Sequence, residues 1–116
     1  MAFHTAAIDV EDVKAQHISS IERALVERLK VYGATLAPYV GALYFRDCGE
    51  VKRQEFDGWL HTWGAFEAVV DFDAAVRDAA EPSKFREDYQ SGDWLHPSDV
   101  GYRAMAQAID LTLFDQ

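Results

Sequence analysis

Cysteine occurs once, at Cys48, in a chain of 116 residues. An intramolecular disulfide is therefore impossible, and a cysteine-based zinc site is excluded. Bases are scarce: 11 Lys and Arg stand against 20 Asp and Glu, a formal net charge of −9. Phosphate neutralisation needs clustered cations, so nucleic acid is not an expected partner. An anionic membrane surface is disfavoured for the same reason. No apolar run is long enough to cross a bilayer, and no N-terminal stretch sets a basic start before an apolar run. No membrane association and no signal peptide are expected, and the acidic balance suits a dispersed cytoplasmic protein. Internal repeats and low-complexity segments are also missing.

Apolar residues make up 49% of the chain, enough for a core, and the length suits one domain over residues 1–116. Asp9 reads as a helix N-cap, and Val13, Ile18, Ile21, Leu25 and Leu29 then recur at helical spacing over roughly 10–30. Val31 to Ala37 is a short apolar run suited to a strand of a parallel sheet, ended by Pro38. Residues 38–50 read as a loop, and residues 51–63 as a helix with Phe56, Trp59, Leu60 and Trp63 on one side, closed by Gly64. A second strand is expected over 68–72, with a short helical turn at 73–77. Residues 78–97 form a long irregular loop. A final helix starts at Ser98 or Asp99 and runs to Phe114, with Tyr102, Met105, Ala106, Ile109 and Leu113 inward. The order is helix, strand, helix, strand, helix, an α/β class with a short parallel sheet. Two strands make a thin sheet, as if the chain began in the middle of a larger fold.

The segment Ser91-Gly92-Asp93-Trp94-Leu95-His96-Pro97-Ser98 carries the chemistry. It sets a carboxylate three residues before an imidazole, on a turn that leads into a helix. Asp93 can then orient His96, and His96 can act as a general base. The bland alternative is a turn that hydrogen-bonds itself ahead of a helix. A metal reading needs Asp93, His96 and Asp99 to converge, but Pro97 intervenes and Asp99 serves better as a cap. No metal and no organic cofactor are expected.

The segment Asp93-x-x-His96-Pro97, followed by Gly101-Tyr102, resembles the closing block of the SGNH hydrolases, also called the GDSL lipase/esterase family. Gly33-Ala34-Thr35-Leu36-Ala37-Pro38 resembles that family's strand ending in Thr-Leu-x-Pro. Arg53 to Leu60 resembles its Arg-x-x-x-Asn-x-Trp helix, with Asp57 where Asn is usual. Val69 to Asp73 resembles the strand that follows. The resemblance implies a partial three-layer, flavodoxin-like fold matching the C-terminal half of such a domain. It implies a triad acid at Asp93 and a base at His96, acting on a small-molecule ester. The family's nucleophile lies in a Gly-Asp-Ser stretch, which these 116 residues do not contain, and an oxyanion asparagine is missing because the chain has no asparagine. The expectation is a half-site: ester hydrolase chemistry with the nucleophile block lacking, and weak or no activity of this chain alone.

The rival expectation is a non-catalytic chain that self-associates or binds a partner, as a homo-oligomer or with a complementing N-terminal half. A second rival is a hydrolase with an unconventional nucleophile among Ser19, Ser20, Ser83, Ser98 and Cys48. Cys48, placed in a loop, reads as an inert thiol. His4, His17 and His61 read as solvent-facing or helix-surface residues. Trp59 and Trp63 read as core and Trp94 as a site edge; Phe66 is a further candidate for an acyl pocket. Asp71 and Asp73 read as loop and cap hydrogen-bonding groups.

Overall fold

The structure is a computed structural model that describes residues 9–115; His4 lies outside the described residues. Its elements are α1 (Val10–Val26), β1 (Tyr32–Ala34), α2 (Asp47–Trp63), β2 (Ala68–Val70), α3 (Phe72–Val76) and α4 (Asp99–Gln107). Short 3-10 turns lie at Glu87–Tyr89 and Leu111–Phe114. The class is α/β. β1 and β2 pair in parallel, with Tyr32 opposite Ala68, Gly33 opposite Val69 and Ala34 opposite Val70. Among the described residues these two strands are the whole sheet, so β1 has one unpaired edge.

Asp9 starts α1: its carboxylate accepts the Glu11 N–H at 2.9 Å. The helix stops at Val26, earlier than the apolar pattern predicts. Arg28 adopts a left-handed backbone with φ 60°, and the Leu29 N–H reaches back to the Ala24 carbonyl at 2.9 Å. That closure satisfies a free carbonyl without the usual glycine, which is why the sequence hid it. Leu29 falls beyond the helix, Leu25 lies on an uncovered part of it, and both are exposed and do not extend the core.

α2 begins at Asp47, four residues before the expected start, so Cys48 sits exposed in its first turn and not in a loop. Asp47 and Glu50 lie at the positive end of the helix dipole. Gly49, read as loop punctuation, is buried inside that turn. Gly64 closes the helix at φ 78°, a conformation that suits glycine.

The core forms where α1 meets α2. Val10, Phe56 and Leu60 are buried there, with Val13, Trp59, Phe66 and Val69 packed around them. Trp59 and Trp63 stack at 4.6 Å between ring centroids; both are half-buried, Trp59 packing against the core as expected, while Trp63 stacks on Trp59 at its margin. Phe56 and Leu60, which are buried, each contribute about 1.5–3 kcal/mol. Val76 and Phe85 form a further buried pair beside the Arg77–Phe85 bridge.

The expected long loop is ordered by hydrogen bonds. It contains the 3-10 turn at Glu87–Tyr89 and two isolated antiparallel bridges, Arg77–Phe85 and Gln90–Pro97. α4 ends at Gln107, seven residues short of the expected Phe114. Tyr102 and Ala106 point to solvent, whereas Met105, Ile109 and Leu113 are half-buried. No helix among the described residues is long and apolar enough to cross a membrane.

Candidate active site

The turn from Gln90 to Ser98 is held almost entirely by its own polar groups. Gln90 and Pro97 pair as an antiparallel bridge, and the Ser91 N–H donates to the His96 carbonyl at 2.9 Å. Inside this ring, Asp93 Oδ1 accepts the Leu95 and His96 N–H groups at 3.0 and 2.9 Å. Asp93 Oδ2 lies 2.6 Å from His96 Nδ1. Ser98 fixes the exit: its N–H donates to the Tyr89 carbonyl, and its Oγ accepts the Gly101 N–H at 3.1 Å. Ser98 Oγ also donates to the Asp88 carbonyl at 2.8 Å, so this hydroxyl is occupied as a cap.

These bonds set the electrostatics. The hydrogen bond from His96, then the backbone N–H groups of His96 and Leu95, hold the Asp93 carboxyl well below the usual carboxylate range. An ionised carboxylate can only accept, so the proton of a neutral imidazole belongs on Nδ1. Nε2 is then the free acceptor. The His96 side chain is 66% exposed, which leaves it open to an approaching hydroxyl.

Beside the turn lies an apolar cavity of about 400 Å³, lined by Leu36, Ala37, Tyr39, Phe56 and Leu95 among others. It joins the C-terminal end of β1 to the residue preceding His96. Open α/β sheets place their sites at that end of the strands. Tyr39 Oη is shielded from solvent without a hydrogen bond.

A polar knot underlies the same strand ends. Arg53, 4% exposed, bonds Glu50 through Nε and Nη2 at 2.7 and 2.8 Å. Its Nη1 donates to the Leu36 carbonyl and to Asp57 Oδ2, at 3.1 and 3.2 Å. Asp73 Oδ1 is 3.1 Å from the same Nη1, a charge contact outside hydrogen-bond geometry. Asp57 Oδ1 accepts the Leu36 N–H at 2.8 Å. Burial pushes the Asp57 carboxyl up to about 6, against the Leu36 N–H and the Arg53 charge. Thr35 Oγ1 joins the strands, donating to Asp71 Oδ1 at 3.1 Å and accepting the Asp73 N–H at 2.9 Å.

The structure brings Asp93 and His96 together and leaves the other candidates elsewhere. Among the described residues no three side chains converge as metal ligands, and Asp99 starts α4. Ser19 and Ser20 line a separate cavity with Arg23 and Glu27. Ser83 bonds the Glu50 carboxylate. His17 is packed, contrary to the surface reading: it bonds the Val13 carbonyl at 2.8 Å and meets the Phe56 ring edge-on. His61 is exposed and 3.2 Å from Asp71. Asp71 caps α3 through the Ala74 N–H, as its cap reading expected. Asp73 instead contacts Arg53 and Arg77. Sequence reasoning missed Gln90, whose only signal was a long amide side chain directly before Ser-Gly-Asp.

The model of the GDSL-like lipase/acylhydrolase family matches residues 5–109. The fold is similar to that of a G-D-S-L family protein from Desulfitobacterium hafniense: TM-score 0.69, 21% identity, covering 87% of this chain and 54% of that one. It is similar also to a GDSL-like lipase from Bacteroides thetaiotaomicron: TM-score 0.75, 18% identity, covering 92% of this chain and 53% of that one. The chain thus spans about half the length of either structure. No curated protein matches it.

Proposed function

The chain belongs to the GDSL-like lipase/acylhydrolase family, and on that premise we propose that it carries the acid–base pair of a carboxylic-ester hydrolase, with His96 as general base and Asp93 as its orienting acid. The observation that carries this reading is the 2.6 Å contact between Asp93 Oδ2 and His96 Nδ1. It leaves Nε2 to take the proton of an attacking serine hydroxyl. The oxygen bonds to the ester carbonyl carbon, and the collapsing intermediate expels the alkoxide, which collects the same proton from Nε2. Water then repeats the cycle on the acyl ester. Asp93 stays ionised and stabilises the imidazolium throughout.

The proposal gives this chain the closing half of the family's domain. A Gly-Asp-Ser stretch and any asparagine are absent from its 116 residues. Loss of one oxyanion donor costs about 100–1,000-fold in rate. Little hydrolysis that depends on His96 is therefore expected from the chain alone. A short p-nitrophenyl ester tests this directly. Turnover at background level, unchanged by His96→Ala, is the expected result; rapid turnover abolished by that change would contradict it. The acidic balance and the single cysteine support a cytoplasmic setting.

A second reading, a partner-binding module, is favoured by the unpaired edge of β1 and by exposed Leu36 and Leu95 at the cavity mouth. The partner is a second copy or a polypeptide supplying the rest of the sheet. A monodisperse monomer in sedimentation, with no binding of a hydrophobic dye, would remove this reading.

A further inference from the structure

A left-handed backbone sits inside the Asp93–His96 pair. Trp94 has φ 56°, where L side chains are strained, and it is one of two such non-glycine residues among those described. This twist lets the chain fold back so that one oxygen of Asp93 meets the Leu95 and His96 N–H groups while the other meets the imidazole. Something must hold it. Gln90 Oε1 accepts the Gly92 N–H at 2.7 Å and the Trp94 N–H at 3.0 Å. These bonds straddle Asp93. Gln90 Nε2 in turn donates to the Glu87 carbonyl at 3.2 Å, which aims the amide oxygen into the turn. The Trp94 ring is gripped from two sides. Lys84 Nζ lies 4.3 Å from its centroid, and a Cβ on Gly41 would stand 3.0 Å from Trp94 Cγ. Gly41 itself has φ 97°, so glycine suits that contact on both counts.

We propose that Gln90 is a positioning residue for the Asp93–His96 pair: its amide oxygen ties down the Gly92 and Trp94 N–H groups and so fixes the one backbone form in which Asp93 reaches His96 Nδ1. Gln90 touches neither imidazole nor substrate. It acts through the turn. Without that acceptor two N–H groups lose their partner, Trp94 relaxes to a negative φ, and His96 swings away from Asp93. This rests on the reading of the pair as the acid and base of the site, but its test reads the pair itself and not turnover.

The test is proton and nitrogen NMR of the His96 ring in the full chain and in two variants. Gln90→Met keeps length and removes the acceptor; Gln90→Glu keeps the acceptor and removes the donor to Glu87. The unchanged chain and Gln90→Glu should show a far-downfield Nδ1 proton on His96, and Gln90→Met should lose it. A Gln90→Met protein that keeps this resonance at its original shift overturns the proposal. If Gln90→Met does not fold, amide exchange in the unchanged chain decides: slow exchange at Gly92 and Trp94 supports the role, and free exchange at both overturns it. Failure to hydrolyse the ester even when a polypeptide supplying the nucleophile block is added would sink the hydrolase reading while leaving the resonance in place.

Discussion

Asp93 and Asp57 each face a partner able to carry positive charge, yet their carboxyls move in opposite directions. Asp93 is 48% exposed, and its bonds from His96 and the turn pull it down. Asp57 is 9% exposed, and burial lifts it despite Arg53 at 3.2 Å. The difference lies in what surrounds each group. Around Asp93, N–H donors converge and water remains. Around Asp57, one guanidinium serves Glu50, Asp57 and Asp73 together. The exposed turn is built for a fixed ionisation state, and the buried knot is built to join β1, α2 and the end of β2.

The comparison breaks most visibly at Arg53. Arg53→Met strands buried carboxylates, and breaking such a pair typically costs about 3–5 kcal/mol. Urea unfolding at pH 7 should show that loss, while the Asp93–His96 contact persists in the folded fraction. A loss below about 1 kcal/mol would mean that the knot carries no structural weight.

Asp57→Asn comes next. The Asp57 carboxyl is raised in the folded state to about 6, against an ordinary value of 3.8. The folded protein thus keeps a proton that the unfolded chain releases. That contribution is complete below about pH 4 and is lost as pH rises through about 6, a decline on the order of 3 kcal/mol by pH 7. Asparagine still accepts the Leu36 N–H but cannot titrate. Stability measured between pH 4 and 7 should therefore fall less steeply with pH in Asp57→Asn. An unchanged slope would show that Asp57 is not the titrating group. Asp93 has the opposite sign: its stabilisation is present above the ordinary carboxylate range and disappears on acidification.

The smallest expected effect is at the exit of the turn. Ser98→Ala removes the cap on Gly101 and should cost about 1 kcal/mol, read as a lowered urea midpoint. No change at all would mean that the Ser98 bonds to Asp88 and Gly101 are not formed in solution.

The contrast also explains what the sequence disclosed. The Asp93–His96 spacing was legible because three residues suffice for a local turn, and the Asp9 and Gly64 caps follow local rules. The parallel strands were legible from apolar runs bounded by turn residues, although each is only three residues long. Leu25 and Tyr102 were misplaced because helical spacing shows which residues share a face and not how far that face is covered. The start of α2 was hidden by Gly49, whose buried place inside a helical turn depends on packing. The knot around Arg53 joins residues up to 38 apart along the chain, and nothing local in any of them announces their meeting. Gln90 was hidden because its role lies in backbone groups that any residue possesses.

The account depends most on His96 being held by Asp93 with the proton on Nδ1. Nitrogen NMR of the imidazole in the unchanged chain and in Asp93→Ala reads this directly. The expected result is an Nδ1–H tautomer in the unchanged chain, lost or mixed with the Nε2–H form in Asp93→Ala. An Nε2–H tautomer in the unchanged chain, indifferent to Asp93→Ala, would contradict it.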